Sequence, residues 1–295
     1  MKRIIEKFPI IMIIIGVIGI SLSAIFVRLS EAPSAVTASW RLVWTVVLMT
    51  PVTLGKKAPR TELAHTDWKT ALLCCVSGIF LAIHFLLWFE SLSHTSVASS
   101  TSIVCTEVIW VSLGYCIFMK GKLSKWAVLC IATAFIGSVL IAFSDSASGE
   151  NMLYGDILSL LSAVAVAVYM LLGRVAREKL STTVYTYIVY VSCAVMLVAV
   201  TLIQGASMVE YGYRVVITGL LLAVFSTILG HSIFSWCLKY FSPSFVSASK
   251  LCEPVVAAII AGFLFQEVPT LLQILGGVIV IASVFFFSRV EKNNA

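Results

Sequence analysis

Along this 295-residue chain, apolar residues run for about twenty positions at a time, and polar or charged residues gather in short stretches between the runs. A helix rises about 1.5 Å per residue, so a run of about twenty crosses the ~30 Å hydrocarbon core of a bilayer. Ten such runs can be marked, at residues 8–29, 33–54, 68–90, 95–118, 123–143, 153–172, 182–204, 214–238, 244–265 and 269–288. The connections are brief and carry turn residues or charge: "SEAP", "GKKAPRTELAHTD", "SLSH", "KGK", "SDSASGEN", "GRVAREKLS", "GASMVEYGY", "KYFSP" and "QEV". The pattern predicts an all-α membrane protein of ten transmembrane helices.

Composition agrees. The chain is 60% hydrophobic and 12% charged, whereas a soluble domain is about 45–50% apolar and about 25% charged. No connection is long enough for an attached catalytic or nucleic-acid-binding domain, so the net charge of +6 calls for a membrane explanation. Assigned to alternate sides, sixteen Lys and Arg fall on the side of the two termini and only two, Arg28 and Arg214, on the other. The positive-inside rule therefore predicts a multi-pass protein of the cytoplasmic membrane with both termini cytoplasmic, and a miscounted span would destroy the asymmetry. The eight cysteines all lie in apolar runs with no zinc-type spacing, which predicts free thiols and neither a metal nor a cofactor. The N-terminal stretch has the basic residues and apolar run of a secretory signal. An internal repeat makes it a retained first helix instead.

That repeat is visible without gaps. "TEVIWVSLGYCIFMKGKLS", from Thr106, aligns with "CEPVVAAIIAGFLFQEVPT", from Cys252, at an offset of 146 that places Glu107 on Glu253. Upstream, an offset of 148 places Trp88 on Trp236, Pro33 on Ser181 and "VTL" at Val52 on "VTL" at Val200. Each half then holds five helices, residues 1–148 and 149–295. An odd number turns the second half upside down in the bilayer, giving two inverted five-helix repeats, an arrangement in which secondary transporters place the substrate near mid-membrane.

The motifs "SWRLVWTVVLMTP", "GDILSLLSAVAVAVYMLLGRVAREKLS" and "CEPVVAAIIAGFLFQEVPT" followed by "QILGGVIVIAS" resemble the drug/metabolite transporter superfamily, specifically proteins built from two EamA domains. The resemblance spans essentially the whole chain. It implies a fold in which helices one to four and six to nine surround a central cavity while five and ten lie outside. Lys250 departs from the family pattern, where small or apolar residues are usual, so no substrate preference carries over.

Charge inside a span is expensive, about 2.5–3.5 kcal/mol per group on insertion scales, and normally faces a protein interior or cavity. Arg41, His84, Glu107, Lys250 and Glu253 sit well inside the runs, with His231 nearer the cytoplasmic side and Glu90 at an outer edge. If they converge, two cations oppose two acids. Alternatives stand beside this reading: the glutamates as structural hydrogen-bond acceptors, Lys250 and Glu253 neutralising each other one turn apart, and Arg41, whose repeat counterpart is Val189, paired with an acid for packing. Pro254 withdraws the helical partner of the Lys250 carbonyl. Trp88 shares a stripe with His84, Trp44 follows Arg41 by three, and Trp110 follows Glu107 by three, so these aromatics are candidate walls of the cavity or, equally, packing and interfacial anchors. The serine-rich "TSVASSTS" and "SPSFVSAS", with Gly16, Gly19, Gly276 and Gly277, read as close helix contacts.

The expected function is alternating-access secondary transport of a small organic metabolite, an amino acid or a related amphipathic solute, in the direction of efflux. Uptake of a quaternary amine or a nucleobase-like solute is the alternative within transport, and an intramembrane lipid-modifying enzyme the alternative outside it. The chain has no Walker motif, HExxH, GxSxG or paired membrane aspartates, and an enzyme needs a nucleophile and base that converge. Expected partners are a small-molecule substrate and the lipid bilayer. A coupling proton and a homodimer are left open by the sequence, as is which glutamate titrates, and nucleic acid is excluded.

Overall fold

Helix starts are written into the connections. Asp67, Ser181 and Ser242 each stand just before an apolar run, where a side-chain oxygen can accept the N–H groups that a first turn leaves without partners. A computed structural model describes residues 9–95, 97–143, 152–256, 259–260 and 270–294. In it Asp67 accepts the Thr70 amide at 3.0 Å, Ser181 that of Val184 at 3.3 Å and Ser242 that of Phe245 at 3.2 Å. Pro243 follows Ser242 at the helix start, where a missing N–H costs no bond.

Every regular element among the described residues is a helix, and none is a strand. Seven helices among them are long and apolar enough to cross a membrane: Pro9–Val27, Ser34–Leu54, Trp68–Ser91, Ser100–Phe118, Leu153–Lys179, Thr182–Ile203 and Gly212–Cys237. Two shorter apolar helices, Lys125–Leu140 and Ile274–Val290, fall on the fifth and tenth predicted spans. The predicted ninth span, 244–265, is described only at 244–256 and 259–260. The connection after the second span holds a short helix, Lys57–Ala64, that buries no residue. The sixth helix, Met152–Lys179, runs past its predicted end at 172, because Arg, Ala, Glu and Lys in "GRVAREK" are strong helix formers. Its Arg177 donates to the Ser235 carbonyl at 3.1 Å and so ties this extension to the eighth span.

Numbering the predicted spans in chain order, the principal contacts are one with eight, three with six, three with seven, two with eight, two with seven, four with six, four with nine and five with ten. Exchanging spans one to five with six to ten maps every one of these contacts onto a member of the set except four with six. Two equivalent halves pack that way.

Glycines let the tightest crossings form. A Cβ on Gly78 would sit 2.4 Å from the Val189 carbonyl oxygen, and one on Gly19 would sit 2.6 Å from that of Phe225. On Gly137 it would meet the Gly276 oxygen at 2.8 Å. All three obstacles are backbone, which cannot swing aside as a side chain can. Gly78→Ala is therefore expected to destabilise the protein by about 1–3 kcal/mol, read as a fall in melting temperature in detergent. Gly277→Ala, which meets only a Val255 methyl at 3.3 Å, is the mild comparison. Equal melting of both variants would show that the crossing of helices three and seven is not set by Gly78.

Candidate functional site

The Lys250 carbonyl loses its usual acceptor role because Pro254 has no N–H to offer. The chain responds by tightening into a 3₁₀ turn over Lys250–Cys252, and the Glu253 amide, three residues on, bonds that carbonyl instead. The fourth span is interrupted at the corresponding place: one helix ends at Val104, another begins at Glu107, and Cys105 and Thr106 lie between. At the offset of 146 these two residues align with Leu251 and Cys252. Each interruption thus sits just before a glutamate. Irregular backbone at membrane depth is tolerated where protein or a cavity surrounds it, and both interruptions are largely buried.

Packing of the fourth span on the ninth brings Glu107 and Lys250 together. Their Oε1 and Nζ atoms lie 2.9 Å apart, with the two side chains only 6% and 7% exposed. The Ser247 hydroxyl donates to the same carboxylate at 2.9 Å. Lys250 also lies 3.4 Å from the Met170 sulfur and over the Phe234 ring at 5.4 Å. It therefore pairs across the two halves and not with Glu253, its neighbour on the helix.

Arg41 is held differently. Its Nε donates to the Thr227 hydroxyl at 2.8 Å, its Nη1 to the Ser23 hydroxyl at 3.2 Å, and its guanidinium lies 4.0 Å from the centre of the Phe85 ring. No carboxylate among the described residues forms an ion pair with it. Thr227 belongs to a π-helical stretch, Leu222–His231, in which its hydroxyl also donates to the Leu222 carbonyl five residues back at 3.2 Å. Such stretches are rare and concentrate at functional sites. Glu253 is buried as well, yet no donor among the described residues bonds its carboxylate; only its main-chain carbonyl accepts a bond, from Ser21 at 3.3 Å.

These groups share one cavity of about 40 Å³. Arg41, His84, Trp88, Glu107, Lys250 and Glu253 all line it, joined by Ser23, Ile20, Val104 and His231. Val104 and Lys250 are equivalent in the repeat, as are Glu107 and Glu253, so each half supplies the same two positions. His84 meets the Ser162 hydroxyl through Nδ1 at 2.8 Å and stacks on Trp88, with centroids 6.2 Å apart and planes 6° from parallel. The Trp88 indole N–H is buried without an acceptor among the described residues.

Two expected wall residues lie elsewhere. The Trp44 indole donates to the Val216 carbonyl at 3.1 Å in the contact between helices two and eight, and Trp110 is 38% exposed. Neither lines the cavity. Conversely, Ser23, Thr227, Phe85 and Ser247 hold the charges and were not singled out by sequence. Ser247 falls in a stretch that reads as packing, yet its hydroxyl faces Glu107. Among the described residues no group of three or more His, Cys, Asp or Glu is arranged to hold a metal ion.

Repeat-equivalent acids thus meet at one buried cavity in a chain with several helices of membrane-crossing length. Residues 7–143 and 153–289 each match the EamA-like transporter family. The chain belongs to this family. It is thus a multi-pass membrane transporter made of two EamA repeats, as the motifs of the second, sixth and ninth spans imply. It is 27% identical to the uncharacterized transporter YyaM of Bacillus subtilis over 89% of this chain and 88% of that protein. To the pseudopaline exporter CntI of Pseudomonas aeruginosa it is 24% identical, over 74% of this chain and 75% of that one. A solved crystal structure superposes with a TM-score of 0.78 at 12% identity, covering 97% of this chain and 98% of that one, a likeness of fold.

Proposed function

We propose that this transporter has ten spans in two inverted halves, 1–148 and 149–295, and exports a small zwitterionic solute of the amino-acid class by alternating access to the central cavity. One observation carries the reading: a buried cavity in which Lys250 is neutralised by Glu107, while among the described residues Arg41 has hydroxyl partners but no carboxylate, and the Trp88 N–H and the Glu253 carboxylate have no hydrogen-bond partner. A zwitterion complements that remainder, its carboxylate toward Arg41 and the Trp88 N–H and its ammonium toward Glu253. Buried polar groups left without such partners are costly, which favours a ligand that brings both. Small-solute sites usually measure about 300–1,000 Å³, so a cavity of about 40 Å³ must widen before a solute enters. Parting of the broken fourth and ninth spans at the Glu107–Lys250 contact supplies that movement. The outward direction is supported by the exporter among the relatives. The chain acts as a carrier and not as an enzyme.

The test is counterflow in proteoliposomes with a panel of labelled amino acids and amines. Saturable exchange of zwitterions is expected. Exchange confined to cations such as a quaternary amine would favour the uptake reading and overturn this one.

Orientation follows from the cation asymmetry, with the termini and the Lys57 connection cytoplasmic and Glu210 outside. A membrane-impermeant maleimide added to intact cells should modify Glu210→Cys and leave Lys57→Cys untouched until the cells are opened. The reverse pattern would invert the topology and with it the direction assigned to each mouth of the pathway.

A further inference from the structure

A second pocket, of about 260 Å³, opens where the 119–124 connection, the extended end of helix six and the turn at 238–242 meet. Lys122, Arg174 and Lys239 line it together with Tyr115, and no carboxylate among the described residues stands in its wall. None of these three cations forms an ion pair among the described residues. Three like charges around one concavity repel one another and raise the local concentration of anions. Arg174 is further anchored by a bond from its Nη1 to the Leu238 carbonyl, which fixes the guanidinium at the pocket wall.

The pocket is in register with the central cavity. Tyr115 lies two turns beyond Glu107 on one helix, and residues eight apart fall on one stripe about 12 Å apart. Arg174 lies one turn beyond Met170, whose sulfur touches Lys250. The turn at 238–242 leads directly into the helix that carries Ser247 and ends at Lys250. The three walls of the pocket therefore climb to the three residues that meet at the Glu107–Lys250 contact. Between the levels lie Val111 and Val246, both with no exposed surface. Along their helices these two apolar positions stand between the two polar chambers, on one seam.

We propose that the basic pocket is an anion site at the foot of this seam, built for a phosphate group, whether on an anionic lipid headgroup or on a soluble phosphate compound. Lysine ammonium groups supply point charges, the arginine supplies a planar fork of donors, and phosphate oxygens accept from both. That the site stands at the cytoplasmic mouth of the transport path rests on the function proposed above; the anion site itself does not.

Binding to the full-length protein in a neutral detergent tests it with two probes, inorganic pyrophosphate and dihexanoyl phosphatidylglycerol, against dihexanoyl phosphatidylcholine as the uncharged control. Saturable, salt-sensitive binding of at least one anionic probe is expected, weakened about tenfold or more in Lys122→Gln/Lys239→Gln and retained in Lys122→Arg/Lys239→Arg. Both lysines are exposed, so the double variants are expected to melt like the parent. Binding of pyrophosphate alone assigns the site to soluble phosphate compounds, and binding of phosphatidylglycerol alone assigns it to lipid. Binding of neither, or binding indifferent to the Lys→Gln pair, overturns the proposal. Counterflow measured on the same preparation keeps the two readings apart, since its absence beside intact anion binding would count against transport of zwitterions and leave this site standing.

Discussion

Glu253→Gln is expected to cut counterflow roughly thirtyfold or more while leaving the melting temperature within a few degrees of the parent. The carboxylate is buried at the cavity wall but receives no hydrogen bond and no ion pair among the described residues, so its neutral isostere leaves nothing behind unpaired. The stability change should stay within about 1 kcal/mol. Loss of a charge that meets the substrate ammonium typically costs about 2–5 kcal/mol of binding, a reduction of roughly thirtyfold or more. We propose the same residue as the acid that would carry a coupling proton. Glu107 is already engaged by Lys250 and Ser247, whereas protonation of Glu253 changes the charge of a cavity otherwise faced by Arg41, His84, His231 and the Glu107–Lys250 pair. Coupling through Glu253 predicts that an imposed pH gradient drives exchange by the parent and leaves the residual exchange of Glu253→Gln unchanged. Parent-like counterflow in this variant, or its collapse in detergent, would remove Glu253 from the site.

Glu107 should behave in the opposite way. Its ion pair with Lys250 is 2.9 Å long with both side chains under 8% exposed. Removing one member of a buried pair strands the other charge, which typically costs about 3–5 kcal/mol. Glu107→Gln and Lys250→Met are each expected to melt well below the parent, and the double variant to recover most of the loss, because no charge is then stranded. Thermal melts of the four proteins in one detergent form the double-mutant cycle. A double variant no more stable than the weaker single would show that the two residues do not support each other. Sequence alone suggests that the two repeat-related glutamates respond alike; their different partners separate them.

Several features of the fold needed no structure. A span must be about twenty apolar residues long whatever surrounds it, so runs such as 33–54 and 182–204 announce themselves, as do the caps at Asp67, Ser181 and Ser242, whose bonds reach only three residues along the chain. The repeat that equates Glu107 with Glu253 is likewise a property of the letters. The placement of charge within spans also pointed to the interior, since lipid would penalise Arg41, Glu107, Lys250 and Glu253 alike.

Partners are another matter. Lys250 and Glu253 are three residues apart and locally suited to pair, yet the contact that forms joins Lys250 to a carboxylate 143 positions away in the other half. Helical period says which residues share a face, as with Arg41 and Trp44 or Glu107 and Trp110, but not what each part of that face meets; Arg41 met hydroxyls from two other helices and Trp110 met the outside. The paired interruptions at Cys105–Thr106 and Lys250–Cys252 and the π-helical turns before His231 are equally silent in sequence, apart from Pro254. Sequence determined the spans, their caps, the two halves and the list of costly charges, because each depends on chain-local geometry or on the bilayer. Only the tertiary structure decided that Glu107 is spent on Lys250 while Glu253 is left facing the cavity, because that depends on which helices cross, and at what depth, once the halves have packed together.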